Sequence, residues 1–149
     1  MMSDLPETME ERFSAALHAT ARIWRQALDK RLKHLGIGQS GWMTIAMVAK
    51  SAEPLSQRAL ADQVGVEGPS MVSMLDRLER DGFLLRSPSP LDRRVKLVGL
   101  TDTGRQVYEE VRREAIAVRG SLLDGIEPAA LAAATGVLET LRARIEGDL

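Results

Sequence analysis

Residues 55–100, LSQRALADQVGVEGPSMVSMLDRLERDGFLLRSPSPLDRRVKLVGL, decide how this chain is read. Ser56 is a good helix N-cap, and Leu55 and Leu60 stand at the two positions of a hydrophobic staple. The helix they start is short, because Gly65 ends it. A second helix opens at EGPS, with Pro69 in its first turn, where a missing N–H costs nothing. It runs over 69–81 and stops at Gly82. Its helical wheel puts Met71, Val72, Leu75 and Leu78 on one side and Ser70, Ser73, Met74 and Arg77 on the other. A short helix, a glycine turn and a second helix with a small, uncharged N-terminal face describe a helix-turn-helix. FLLRS and VKLVGL then read as two strands flanking SPSPLDRR, which adds a two-stranded wing.

The flanking sequence is helical. Phe13, Leu17, Trp24, Leu28 and Leu35 recur at helical spacing over 9–35. Their apolar sector covers about half the wheel, wider than the ~100° stripe a surface helix needs. So wide a face calls for two packing bodies, such as the rest of this chain and a second copy of it. Residues 39–51, QSGWMTIAMVAKS, form a further helix. Thr101 caps a long one over 102–123. Gly125 breaks it, and Pro128 starts the last, with Leu131, Leu138, Leu141 and Ile145 on one face. The fold class expected is mainly α, a winged helix-turn-helix with N- and C-terminal helices.

Composition removes several functions. The 149 residues suit one domain with an oligomerisation element. Without cysteine there is no disulfide, thiolate metal site or thiol sensor, and two histidines make no zinc site. No metal and no cofactor are expected. The acidic start, MMSDLPETMEER, lacks the apolar core of a signal peptide. PAALAAATGVL is too short to span a bilayer. These features imply a cytoplasmic chain without membrane contact. The net charge of −1 hides an uneven distribution: Arg77, Arg80, Arg86, Arg93, Arg94 and Lys96 cluster late in the winged region, while residues 101–149 carry the acid excess. Local charge, not the total, decides what attracts phosphate.

Double-stranded DNA is therefore the first expected partner. The 69–81 helix would lie in a major groove with Pro69, Ser70, Ser73 and Met74 toward base edges and Arg77 toward phosphate. Ser56, at the start of the preceding helix, Arg86, after the first strand, and Asp92, on the finger, join the DNA-facing set. Arg93 and Arg94, on a thin finger, suit a narrow minor groove, where negative potential concentrates. Asp92 would hold the finger's shape by pairing with a nearby arginine, Arg86 or Arg93. The plain alternative is an ordinary solvated turn.

These motifs carry a resemblance. Leu60-Ala61, Leu78 with Glu79 and Gly82, Arg86, Asp92 with Arg94, and Leu100 with Thr101 and Gly104 resemble the pattern of the MarR family of winged-helix regulators. ARIWRQALDKRLKHLGIGQSGW, the Gly-Val-Glu-x-Pro-Ser entry to the second helix, and RGSLLDGI are similar to its SlyA branch. The resemblance implies a homodimer on a pseudo-palindromic operator. It implies a DNA-binding domain over 39–101 and a helical dimerisation region over 1–38 and 102–149. Phe13, Leu17, Trp24, Leu131, Leu138, Leu141 and Ile145 would then meet the partner copy. It also implies DNA contacts at Pro69, Ser70, Arg93 and Arg94. Ser73 stands where that branch often has arginine, and Met74 replaces a small polar residue. The operator is expected to differ accordingly, since losing a bidentate guanine contact costs ~1–3 kcal/mol of discrimination.

A second partner is a small effector. His18, Arg22, Arg25 and Asp29 share one helical face, and Trp42 follows on the next helix. A guanidinium beside apolar surface suits a small aromatic carboxylate, and the family often binds phenolic or benzoate-like acids. The alternative is an exposed face with an Arg25–Asp29 pair. Nothing here resembles a nucleophile with its base or a phosphate loop, so no enzyme is expected. A ligand-independent regulator and a winged-helix protein-interaction module remain the rival readings. The small polar face of the 69–81 helix argues against the latter, since protein hot spots favour Trp and Tyr.

Overall fold

The structure is a computed structural model and describes residues 6–148. The chain divides into two compact units, Met1–Ile116 and Ala117–Leu149.

In the first unit, α1 spans Met9–Arg31. Thr8 caps it with a capping box: its hydroxyl accepts from the Glu11 N–H at 3.1 Å, and Glu11 accepts from the Thr8 N–H at 2.8 Å. The continuous helix expected over 9–35 ends early. At Leu32 the backbone leaves helical geometry, and Lys33–Leu35 tighten into a 3₁₀ turn. Helix α2 follows at Gly38–Lys50, then strand β1 at Leu55–Ser56, α3 at Gln57–Val64 and α4 at Gly68–Arg80. Ser56 caps α3 by accepting from the Ala59 N–H at 3.1 Å. Gly65, at φ 81°, makes the left-handed turn that redirects the chain toward α4; a side chain is strained there.

Strands β2 (Leu84–Pro88) and β3 (Lys96–Leu100) form the antiparallel wing, pairing Leu84 with Leu100 and Pro88 with Lys96. The wing is not purely two-stranded. β1 adds to β3, Leu55 opposite Val98 and Ser56 opposite Leu97, giving the order β1-β3-β2. Two residues carry no period-2 pattern, so no alternation announces this strand.

The core joins these elements. Ile45 of α2, Leu60 and Ala61 of α3, Met71, Met74, Leu75 and Leu78 of α4, Leu84 of β2 and Val98 of β3 are buried together. Burial on this scale stabilises by ~1.5–3 kcal/mol per large apolar side chain. Two positions on α4 differ from the wheel expected above: Met74 is buried and Val72 is exposed. The buried stripe runs 71, 74, 75, 78, the i, i+3, i+4, i+7 pattern of a single helix face. Val72 falls about 60° beyond its edge, at 3.6 residues per turn.

Helix α5, Asp102–Leu123, starts where the sheet ends. The Thr101 hydroxyl accepts from the Gly104 N–H at 3.1 Å and donates to the Gly82 carbonyl at 2.5 Å. The Thr101 N–H donates to the Phe83 carbonyl at 3.1 Å. Gly104 is the fit here: a Cβ at this position would lie 1.9 Å from the Phe83 oxygen.

The second unit holds the end of α5 and α6, Pro128–Gly147. None of the residues described in α6 is buried, and Leu131, Val137, Leu138 and Ile145 are exposed, with Leu141 partly covered. No single described helix is long and apolar enough to cross a membrane.

Candidate nucleic-acid interface

Helix α4 turns one side to the core and leaves the other to solvent. Pro69, Ser70, Ser73 and Arg77 are all exposed. Met74 does not join them. Its side chain lies inside the core, where the Thr44 hydroxyl approaches its sulfur at 3.7 Å. Ser56 is half-buried and spends its hydroxyl on capping α3.

The wing is a built structure. The Ser89 N–H donates to the Val95 carbonyl at 2.8 Å, and the Val95 N–H to the Asp92 carbonyl at 3.0 Å. Asp92 pairs with Arg94, in place of the Arg86 or Arg93 expected. The Arg94 N–H donates to Oδ1 at 3.0 Å, and its guanidinium forks both carboxylate oxygens at 3.2 Å. Two residues is the reach of an Asx-type turn, which is why the neighbour one residue nearer loses. The Arg94 side chain and then its backbone N–H hold the Asp92 carboxyl below the usual range. Arg94 stays 91% exposed, so the pairing orients its guanidinium without hiding it. Arg93 is exposed and makes no ion pair with a described residue.

Arg86 behaves differently from the other basic residues. Only 17% of its side chain is exposed. Its guanidinium donates to Glu79 Oε2 at 2.7 and 3.1 Å, to Asp76 Oδ1 at 2.6 Å and to Gln57 Oε1 at 3.1 Å. Its backbone N–H also meets Glu79, at 3.2 Å. It is therefore a clamp between β2, α4 and the start of α3. It also neutralises two carboxylates that flank the exposed face of α4. Hydrogen bonds from Arg86 hold Glu79 below its ordinary value. Burial works against the Arg86 charge, but the Glu79 and Asp76 contacts outweigh it and raise its pKa. Asp76 and Gln57 went unnoticed in the sequence, and Glu79 was read only as part of the family motif, not as a partner of Arg86. The available signal was an opposite charge pair seven residues apart across a tight turn.

The other sequence-derived set is only partly together. His18, Arg22 and Arg25 are exposed on α1. Trp42 is buried at 6% exposure and donates its indole N–H to Asp29 at 2.9 Å. Asp29 is thus committed to Trp42 and not to Arg25. Phe13 and Leu17 are exposed and Trp24 half-buried.

An exposed, small-residue helix face beside an arginine-tipped hairpin defines a winged helix-turn-helix protein of the kind that docks on nucleic acid. The MarR family model matches residues 47–96. The transcriptional regulator PA3341 is 36% identical over 91% of this chain and 98% of its own, with a TM-score of 0.83. This chain belongs to the MarR family of transcriptional regulators. Two more distant structures share the fold. CouR from Rhodococcus jostii RHA1, solved with p-coumaroyl-CoA, has a TM-score of 0.76 at 23% identity, over 91% of this chain and 95% of its own. A MarR-family regulator from Listeria monocytogenes, solved with a 26mer DNA, has a TM-score of 0.77 at 19% identity, over 90% and 89%.

Proposed function

We propose that the chain works as a homodimer on a pseudo-palindromic operator. Pro69, Ser70, Ser73 and Arg77 of α4 enter a major groove, and Arg93 and Arg94 enter the flanking minor groove. The half-sites would lie ~10 bp apart, centre to centre. The observation that carries this reading is the arginine finger itself. Its backbone is hydrogen-bonded into one shape, and its guanidiniums are left in solvent. Arg86 and Asp92 act from behind, one fixing the wing to the helix and the other aiming Arg94. The Listeria regulator, solved with a 26mer DNA, supports DNA as a partner for this fold. Under this reading 39–101 is the DNA-binding domain, and the SlyA-like stretches support membership of that branch.

Dimerisation through 1–38 and 102–149 is supported by apolar surface that the single chain leaves open. Phe13, Leu17 and Ile23 on α1, and Leu131, Leu138 and Ile145 on α6, are exposed. Exposed apolar side chains recurring along a helix, taken on each of these helices by itself, suit an interaction site. A second copy is the occupant that the family supplies.

An effector would sit near His18, Arg22 and Arg25, with a small aromatic carboxylate forked by an arginine. CouR, solved with p-coumaroyl-CoA, supports an aromatic group in the effector; as a thioester that ligand has no carboxylate, so the arginine fork rests on His18, Arg22 and Arg25 alone. Trp42, already bonded to Asp29, would form wall rather than make a polar contact. To release DNA the effector must bind the two states of the dimer with different affinity, and DNA must weaken its binding by the same factor.

The test is enrichment of a duplex from a random pool by the wild-type protein, followed by fluorescence anisotropy against a scrambled duplex. The expected result is a consensus with inverted half-sites, and an Arg94→Ala protein that binds more weakly with a shallower salt dependence. No consensus, or no effect of Arg94→Ala, would point to a protein partner on this surface.

A further inference from the structure

The wing tip carries one group that the electrostatic account does not use. Leu91 is 98% exposed, more than any other large apolar side chain among the described residues. A scattered exposed leucine is ordinary. This one is held on a rigid mount. Its N–H donates to the hydroxyl of Ser89 at 3.3 Å, and Ser89 is itself buried. The Ser89 N–H, the Val95 N–H and the Asp92 carboxylate close the same turn from the other side. Pro90 immediately before it fixes one backbone angle. Asp92, the residue after it, aims Arg94. The chain thus spends several hydrogen bonds on presenting an apolar side chain to water, next to two guanidiniums.

A minor groove is a surface that fits this mixture. Its phosphate rims attract arginine, while its walls are deoxyribose C–H groups. At A·T pairs its floor lacks the guanine amino group. Leucine is among the side chains that proteins press into this groove. We propose that Leu91 is an apolar minor-groove contact of the wing, adding affinity and A·T preference that do not depend on charge. The proposal rests on the DNA-binding reading above.

Salt separates the two kinds of contact. Each phosphate contact adds about one to the slope of log K against log salt, whereas an apolar contact adds nothing. Anisotropy titrations over a salt series, on the duplex enriched by the wild-type protein, would compare Leu91→Ser, Leu91→Met and Arg93→Gln. Leu91→Ser is expected to weaken specific binding about tenfold with an unchanged slope, because part of a leucine's burial is lost. Leu91→Met keeps the affinity. Arg93→Gln weakens binding and lowers the slope by about one. The thermal midpoint of Leu91→Ser stays at the wild-type value, since the side chain touches little in the free protein. Replacing G·C pairs under the wing with inosine·cytosine removes the groove amino group. This raises wild-type affinity more than that of Leu91→Ser, which keeps only the response of its arginines.

Wild-type binding by Leu91→Ser at every salt concentration would overturn the proposal, as would an equal response of both proteins to inosine. A wild-type protein that selects no duplex would overturn the DNA-binding reading itself, and the two failures are thereby distinct.

Discussion

Gly104→Ala tests how the wing is anchored to the rest of its unit. The new Cβ would lie 1.9 Å from the Phe83 carbonyl oxygen and 3.0 Å from its carbon. Ordinary contact begins near 3.4 Å, so the first turn of α5 must retreat by about 1.5 Å. The obstacle is backbone, which has no rotamer to yield. That retreat stretches the bond from the Thr101 N–H to the Phe83 carbonyl and the bond from the Thr101 hydroxyl to the Gly82 carbonyl. Overpacking costs ~1–3 kcal/mol, and a weakened hydrogen bond about 1 more, for a loss of roughly 2–4 kcal/mol. Against a typical total of ~5–15 kcal/mol this is a large fraction. Urea unfolding at fixed protein concentration should show a midpoint lower by about 1–2 M with an unchanged slope. Gly99→Ala is the control, since its added methyl meets nothing within 4 Å; it should unfold within ~0.5 kcal/mol of wild type. If Gly104→Ala unfolds with Gly99→Ala, the close approach of α5 to the turn at Phe83 is not as described.

Three further outcomes follow from the same geometry. Arg86→Gln strips Glu79 and Asp76 of their counter-charge; it should lose ~1–3 kcal/mol of stability in urea unfolding and weaken DNA binding in anisotropy through repulsion of phosphate. Because Glu79 titrates below its ordinary value, it contributes stability above the unfolded glutamate value of ~4.3, and that contribution is lost as pH falls through the lower folded value. Acid unfolding of Glu79→Gln should therefore show a weaker pH dependence below ~4.3 than wild type. Trp42→Phe leaves Asp29 without its indole donor and should lower the unfolding free energy measured in urea by ~1–2 kcal/mol.

What the sequence showed was governed by local signals. The helix-turn-helix was legible because a cap, a glycine and a proline fall at fixed offsets around Ser56, Gly65 and Pro69. The wing followed from two short apolar runs around a proline-rich turn. Strand β1 was not legible, since Leu55–Ser56 is too short for alternation and exists only through its pairing with β3. The end of α1 was misplaced because apolar spacing continues through Leu35 while the backbone does not. On α4 the wheel erred by one position at each edge of the stripe, exchanging Met74 and Val72. At the candidate site the residue types were visible, whereas their partners were not. Arg86 reads as one more cation in a basic cluster until the fold brings Asp76, Glu79 and Gln57 to it. Asp92 had several arginines within reach, and only the turn geometry selects Arg94. Trp42 looked available to a ligand until Asp29 claimed its N–H.

Hydroxyl-radical footprinting on the enriched duplex tests the central claim most directly, because the radical attacks sugars from the minor groove where the wings are placed. Two symmetric sets of protections are expected to flank a pair of half-sites ~10 bp apart, with the outer protections lost in the Arg93→Gln, Arg94→Gln protein. A single asymmetric footprint, or outer protections that survive without those arginines, would contradict that claim.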